Sequence, residues 1–163
     1  MHRTLIAAVA MALGLLVVAA ALATLPKAGA SYKGSTSAAA SNGFKPPVSF
    51  KVSADGKQLL GFKYSAGDCG GMGGPGSPWV NQAFTRNVGT IPVDARGNFA
   101  VKNAKSKGPL QGADASHSKT NVSTVSGHFG AAGVATGTIK LTVTIDGETC
   151  PDNFAGTFTA RAH

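Results

Sequence analysis

Apolar and polar residues alternate with period two over most of the chain beyond residue 47, which is the signature of strands with one packed and one wet face. Val48-Ser49-Phe50-Lys51-Val52-Ser53 shows it first, and Asp55-Gly56 then predicts a hairpin turn, since Gly accepts a positive φ that other residues resist. Leu60, Phe62 and Tyr64 resume the alternation. The pattern is weak over Trp79 to Arg86. It returns at Thr90 to Val93, turns at Asp94-Ala95-Arg96-Gly97 and continues through Asn98 to Val101. The longest uninterrupted run is Val134 to Ile145, with Ala135, Gly137, Ile139, Leu141, Val143 and Ile145 on one face and Thr136, Thr138, Lys140, Thr142 and Thr144 on the other. Val125, Gly127 and Phe129 precede it; a turn at Asp146-Gly147 leads to Phe154, Gly156, Phe158 and Ala160.

Two stretches break the pattern. Gly67 to Pro78 is too rich in Gly and Pro for a strand or helix interior and reads as a loop, and Lys102 to Asn121 is polar, dotted with Gly and Lys, and reads as a second long loop. Apart from the N-terminal segment, no window places apolar residues at helical spacing over a helical length. The expected fold is all-β, an antiparallel β-sandwich or closed β-barrel of about eight strands with one disulfide, with the sandwich slightly favoured.

The first thirty residues differ in kind. Met1-His2-Arg3 is a short positive start, Leu5 to Leu25 is uncharged, and Ala28-Gly29-Ala30 is a small-x-small tripeptide of the kind signal peptidase accepts, preceded by Pro26. Residues 1–30 therefore read as a cleaved signal peptide, or as an uncleaved membrane anchor, because the apolar run is also long enough to span a bilayer. Ser31 to Pro47, rich in Ser, Ala, Gly and Lys, reads as a flexible linker with at most a weak strand near Tyr32, and residues 48–163 as a single β-domain. Both N-terminal readings place that domain outside the cytoplasm, secreted or at the cell surface, with membrane contact only through residues 5–25 if they are retained.

Export gives the two cysteines their meaning. Cys69 follows the Leu60 to Tyr64 strand and Cys150 the Val134 to Ile145 strand, so a Cys69–Cys150 disulfide is expected, tying early strands to late ones in an oxidising compartment. Residues 31–163 carry 13 Lys and Arg against 7 Asp and Glu, a net charge of +6. Lys51, Lys57, Lys63 and Lys140 sit where they keep the outer face soluble and its edges unpaired, and a loose attraction to anionic envelope polymers or lipid headgroups is the functional counterpart. Nucleic acid is not an expected partner, because no basic stripe is interleaved with aromatics.

Candidate chemistry is sparse. The histidines lack metal-ligand spacing, and the aspartates beside Gly or Pro fit turns better than a calcium loop, so neither metal nor cofactor is expected. The Gly-rich loop lacks the following helix that a phosphate cradle requires. Trp79, at that loop's exit, with Met72 and Tyr64 nearby, is the candidate ligand platform for an envelope glycan or a surface protein. Asn121-Val122-Ser123 matches an N-glycosylation acceptor.

Thr149-Cys150 with Arg161 downstream, a His upstream and the apolar N-terminus resembles in outline the sortases, which are membrane-anchored β-barrel cysteine transpeptidases. That resemblance implies Cys150 as nucleophile. It covers only scattered positions: His117 and His128 lie closer to the Cys than the family's His does, and the strand signature before the Cys is missing. A Cys held in a disulfide is also no nucleophile. Val48 to Ser53, the Cys after the next strand, Gly97-Asn98-Phe99, Gly127-His128-Phe129 and Gly133 to Thr138 together resemble small exported bacterial all-β domains without an assigned function. That likeness speaks to fold and carries no catalytic residues over; the function expected beside it is a non-enzymatic binding or surface module acting through the 65–79 and 102–121 loops, or a structural envelope component without a discrete ligand.

Overall fold

The computed structural model describes residues 24–37, 45–67, 83–109, 118–149 and 154–163. Among these residues nine strands make one sheet: β1 (Ser31–Thr36), β2 (Pro47–Val52), β3 (Gln58–Gly67), β4 (Ala83–Pro92), β5 (Asn98–Pro109), β6 (Ser118–Gly130), β7 (Val134–Ile145), the two-residue β8 (Glu148–Thr149) and β9 (Phe154–Ala162). Their order is β4-β3-β2-β1-β9-β7-β6-β5, with β8 paired to the end of β7. Every pair is antiparallel, and the path closes on itself where Val93 of the β4–β5 turn bridges Phe99. Setting aside the short β8, each strand therefore lies beside its neighbours in sequence, and the last strand, β9, lies beside the first. This is an up-and-down barrel, nearly closed. Among the described residues the only helical element is a three-residue 3-10 turn, Ala131–Gly133.

The inward positions follow from the period-two pattern. Tyr32, Phe50, Phe62, Phe99, Phe129 and Phe158 are buried and meet stacked, edge to face or, at Phe99, tilted, with ring centroids between 4.9 Å (Tyr32–Phe50) and 6.4 Å (Phe50–Phe99). Such ring geometries match the quadrupoles of the aromatic faces and edges. Two inward glycines make room for two of these rings: a Cβ on Gly137 would lie 2.6 Å from Phe158 Cε1, and one on Gly127 would meet Phe99 Cζ at 2.5 Å.

Two expectations are corrected here. Residues 31–36, expected to belong to a linker, form β1, hydrogen-bonded to β2 on one side and β9 on the other, with Tyr32 fully buried. One tyrosine, one glycine and a buried threonine are too few apolar residues to stand out in sequence, yet β1 is the strand that closes the barrel. The stretch Lys102 to Asn121, expected to be a loop, instead continues β5 as far as Pro109 and starts β6 at Ser118. Its periodicity is hidden by a bulge, with Asn103 at φ 53° and the register shifting between Val101 and Ala104, and by inward positions that are polar. Of the two architectures, the barrel is the one formed.

The tight turns bear charge that matters in acid. Asp94 accepts hydrogen bonds from Arg96 N (2.8 Å), Asn98 N (2.8 Å) and Asn98 Nδ2 (3.0 Å), and the Asn98 bonds above all hold its carboxyl below the ordinary aspartate value. A depressed folded pKa means stability that is present above the unfolded value and lost as pH falls through the folded one. Urea midpoints of the wild type should therefore fall below about pH 4, and Asp94→Ala should flatten part of that acid limb; an unchanged limb refutes the assignment. Asp55, lowered by Ser53 Oγ and Lys57 N, supplies another part.

Candidate functional site

The meander sorts the connections by length. The short turns β2–β3, β4–β5 and β6–β7 lie at one end of the barrel with the β1 start and the β9 finish. The connections over 37–46, 68–82, 110–117 and 146–153 leave from the other end. The four long connections thus join strand ends at a single rim of the barrel.

The interior changes character toward that rim. On β6 the inward row runs Phe129, Gly127, Val125, Ser123, Asn121, Lys119, from aromatic to polar, and the last three are all buried. Arg86 on β4 and Thr36 on β1 are buried too. Tyr64 is fully buried, stacks on Phe154 at 6.4 Å and shares a 2.8 Å hydrogen bond with Ser123 Oγ. Burial pushes its phenol above the ordinary value, an effect tempered by the Ser123 bond and by the Arg86 charge. Asn121 Nδ2 donates to Ser106 Oγ at 3.5 Å, while Asn121 Oδ1 and Thr36 Oγ1 have no hydrogen-bond partner among the described residues. Buried polar atoms cost free energy unless satisfied, so this layer makes the interior polar at the end from which the long connections leave. Tyr64→Phe should lower stability by about 1 kcal/mol, because Ser123 Oγ would lose its partner while the packing against Phe154 remained; thermal unfolding measures it, and no change would place water on Ser123.

Of the expected ligand platform, Tyr64 lies inside the barrel rather than on its surface, and Trp79 and Met72 lie outside the described residues. Cys69 and Cys150 also lie outside them, but their described neighbours bear on the pairing. Gly67 ends β3 and Thr149 ends β8, both at the loop-bearing rim, and Phe154 reaches Tyr64 across the interior there.

The sortase-like outline is not assembled. Arg161 pairs with Val134 and Thr149 with Thr144, ten residues along β7, which separates them by about 33 Å along the barrel. His128, whose Nε2 lies 3.4 Å from Thr136 Oγ1, belongs to the Arg161 end, far from Thr149, and Cys150 itself lies outside the described residues. His117 lies outside the described residues. Asn121, read as a glycan acceptor, is buried in the folded barrel and closed to a glycan there. No group of three or more His, Cys, Asp or Glu among the described residues could hold a metal ion.

Sequence reasoning missed Arg86, Lys119, Asn121 and Ser123 as interior residues. The signal for β6 was present: the Val125, Gly127, Phe129 row extends backward through these positions without a slip.

No protein-family model, no curated protein and no solved structure matches the chain.

Proposed function

We propose that this chain is a non-enzymatic binding module delivered outside the cytoplasm, which contacts an envelope glycan or a surface protein through the loop-bearing rim of its barrel. The observation that carries the reading is the segregation of all the long connections to the end where the interior turns polar. A barrel whose other end is filled with aromatic rings holds those loops on a rigid base, so binding need not order the scaffold.

The N-terminal readings fit this placement. Ser31 opens β1, so removal of residues 1–30 keeps all the strand residues, though it takes away the buried Ala30 and the bond its carbonyl accepts from Val52 N. In the folded protein the Ala30–Ser31 bond lies beside β2, and cleavage there belongs before folding. A Cys69–Cys150 disulfide would tie the connection after β3 to the one after β8, whose described ends both lie at that rim.

Pull-down of envelope glycan by the exported protein, with Trp79→Ala as the variant, tests the role of the rim. Retention by the wild type and loss in the variant is expected, with an unchanged melting temperature. Equal retention by both removes Trp79 from the site. Failure to bind any envelope fraction, with the protein firmly held in the wall, favours the structural-component reading instead.

A further inference from the structure

The barrel wall has one incomplete seam. Strands β4 and β5 are joined by the Val93–Phe99 bridge and by the turn bond from Asp94 N to Asn98 O (2.8 Å), and no further ladder joins them toward the loop-bearing rim. Elsewhere each long strand is laddered on both sides. Inward residues along the seam are unevenly covered: Val88 on β4 and Val101, Ala104 and Ser106 on β5 are only half-buried, while Arg86 and Ile91 on β4 and Phe99 on β5 are buried. Both seam strands are bent by residues with positive φ, Gly89 at 87° and Asn103 at 53°. An unladdered edge presents backbone donors and acceptors that another extended segment can use.

The outward residues along the seam differ in charge. β5 exposes Lys102, Lys105 and Lys107, while β4 exposes Thr85, Asn87 and Thr90. Lysines on an edge repel a second copy of the same edge, which keeps the barrel from pairing with itself. The same charges favour a strand of opposite sign, since opposite charges across strands attract and like ones repel.

We propose that the β4–β5 seam is a docking site for an extended acidic segment of a partner polypeptide. That segment adds to the edge of β5, turns small apolar side chains toward Val88 and Val101, and turns carboxylates outward to Lys102, Lys105 and Lys107. This is strand addition, in which the main chain supplies affinity and alternate side chains supply selectivity. It is a site separate from the rim loops and does not rest on the glycan reading.

The test uses two peptides of about eight residues, one alternating Val with Glu and one with the same composition in two blocks, titrated into the exported protein. The alternating peptide should bind at least about tenfold more tightly than the block peptide, and it should slow hydrogen exchange at amides between Ala100 and Lys107. The triple variant Lys102→Glu, Lys105→Glu, Lys107→Glu should lose that peptide and take up its Val/Lys counterpart, whereas Trp79→Ala should bind it as the wild type does. Equal affinity for the alternating and block peptides would reduce the effect to general charge attraction and overturn the proposal. So would absence of binding to either peptide together with self-association of a Lys→Ala triple variant, which would leave the lysines as edge guards alone.

Discussion

Gly34→Ala is expected to cost at least about 3 kcal/mol or to prevent folding. Gly34 pairs with Val48 on one side and Ala160 on the other, at the strand that joins the two ends of the meander. A Cβ there would fall on the Thr159 carbonyl oxygen and lie 2.6 Å from Ala160 Cα. Those neighbours are backbone, so no rotamer change relieves the overlap, and β1 must move away from β9. Because that contact closes the barrel, the strain does not stay local: the ladder that buries Tyr32 is the one displaced. Gly130→Ala is the matched control, with its nearest neighbour, Val134 O, at 3.7 Å and an ordinary negative φ of -102°. Its effect should stay within about 1 kcal/mol. Urea unfolding of the two variants measures the difference, and equal losses would refute the role assigned to the β1–β9 closure.

The second large effect is expected from the cysteines. Exchange of both for serine should lower stability by about 4 kcal/mol, the loop-closure entropy of a ring of roughly 80 residues. Small domains hold only about 5 to 15 kcal/mol in total, so the reduced protein should be marginal. The ring would run from the end of β3 to the end of β8, and would enclose β4 to β7. Its loss should be felt first at the rim, where the interior is polar and contributes least burial. The barrel's aromatic end should stay protected longest in hydrogen exchange. Denaturation of the oxidised protein and of the double serine variant, compared under the same conditions, measures the effect, and superimposable curves would mean that the two sulfurs are not joined.

Much of this fold was legible because the strands of a barrel keep one face inside. The Val134 to Ile145 run gave β7 to the residue, and the Asp-Gly pairs at 55–56 and 146–147 gave their turns, Gly56 at φ 74° and Gly147 at φ 92°. What was not legible had specific causes. β1 was legible only as a weak strand near Tyr32 inside a linker, because its inward row is Tyr32, Gly34 and Thr36, which carries one large apolar side chain and takes its burial from neighbours far along the chain. The rim halves of β5 and β6 were missed because a bulge at Asn103 shifts the period and because Asn121 and Lys119 occupy interior positions. The choice between barrel and sandwich depends on whether the last strand finds the first, and period-two alternation is the same in both. The polar interior layer was unread for a related reason: Arg86 and Lys119 look like solvated surface charge until closure places them inside.

We propose that this barrel acts outside the cytoplasm and that a Cys69–Cys150 disulfide ties it. Intact-mass measurement of the exported protein, with and without reduction and thiol labelling, tests both parts at once. The predicted result is a chain beginning at Ser31, lighter by the two hydrogens a disulfide removes, that takes up label only after reduction. A Cys150 thiol labelled without reduction would contradict the account, remove the tie and restore that sulfur as a candidate nucleophile.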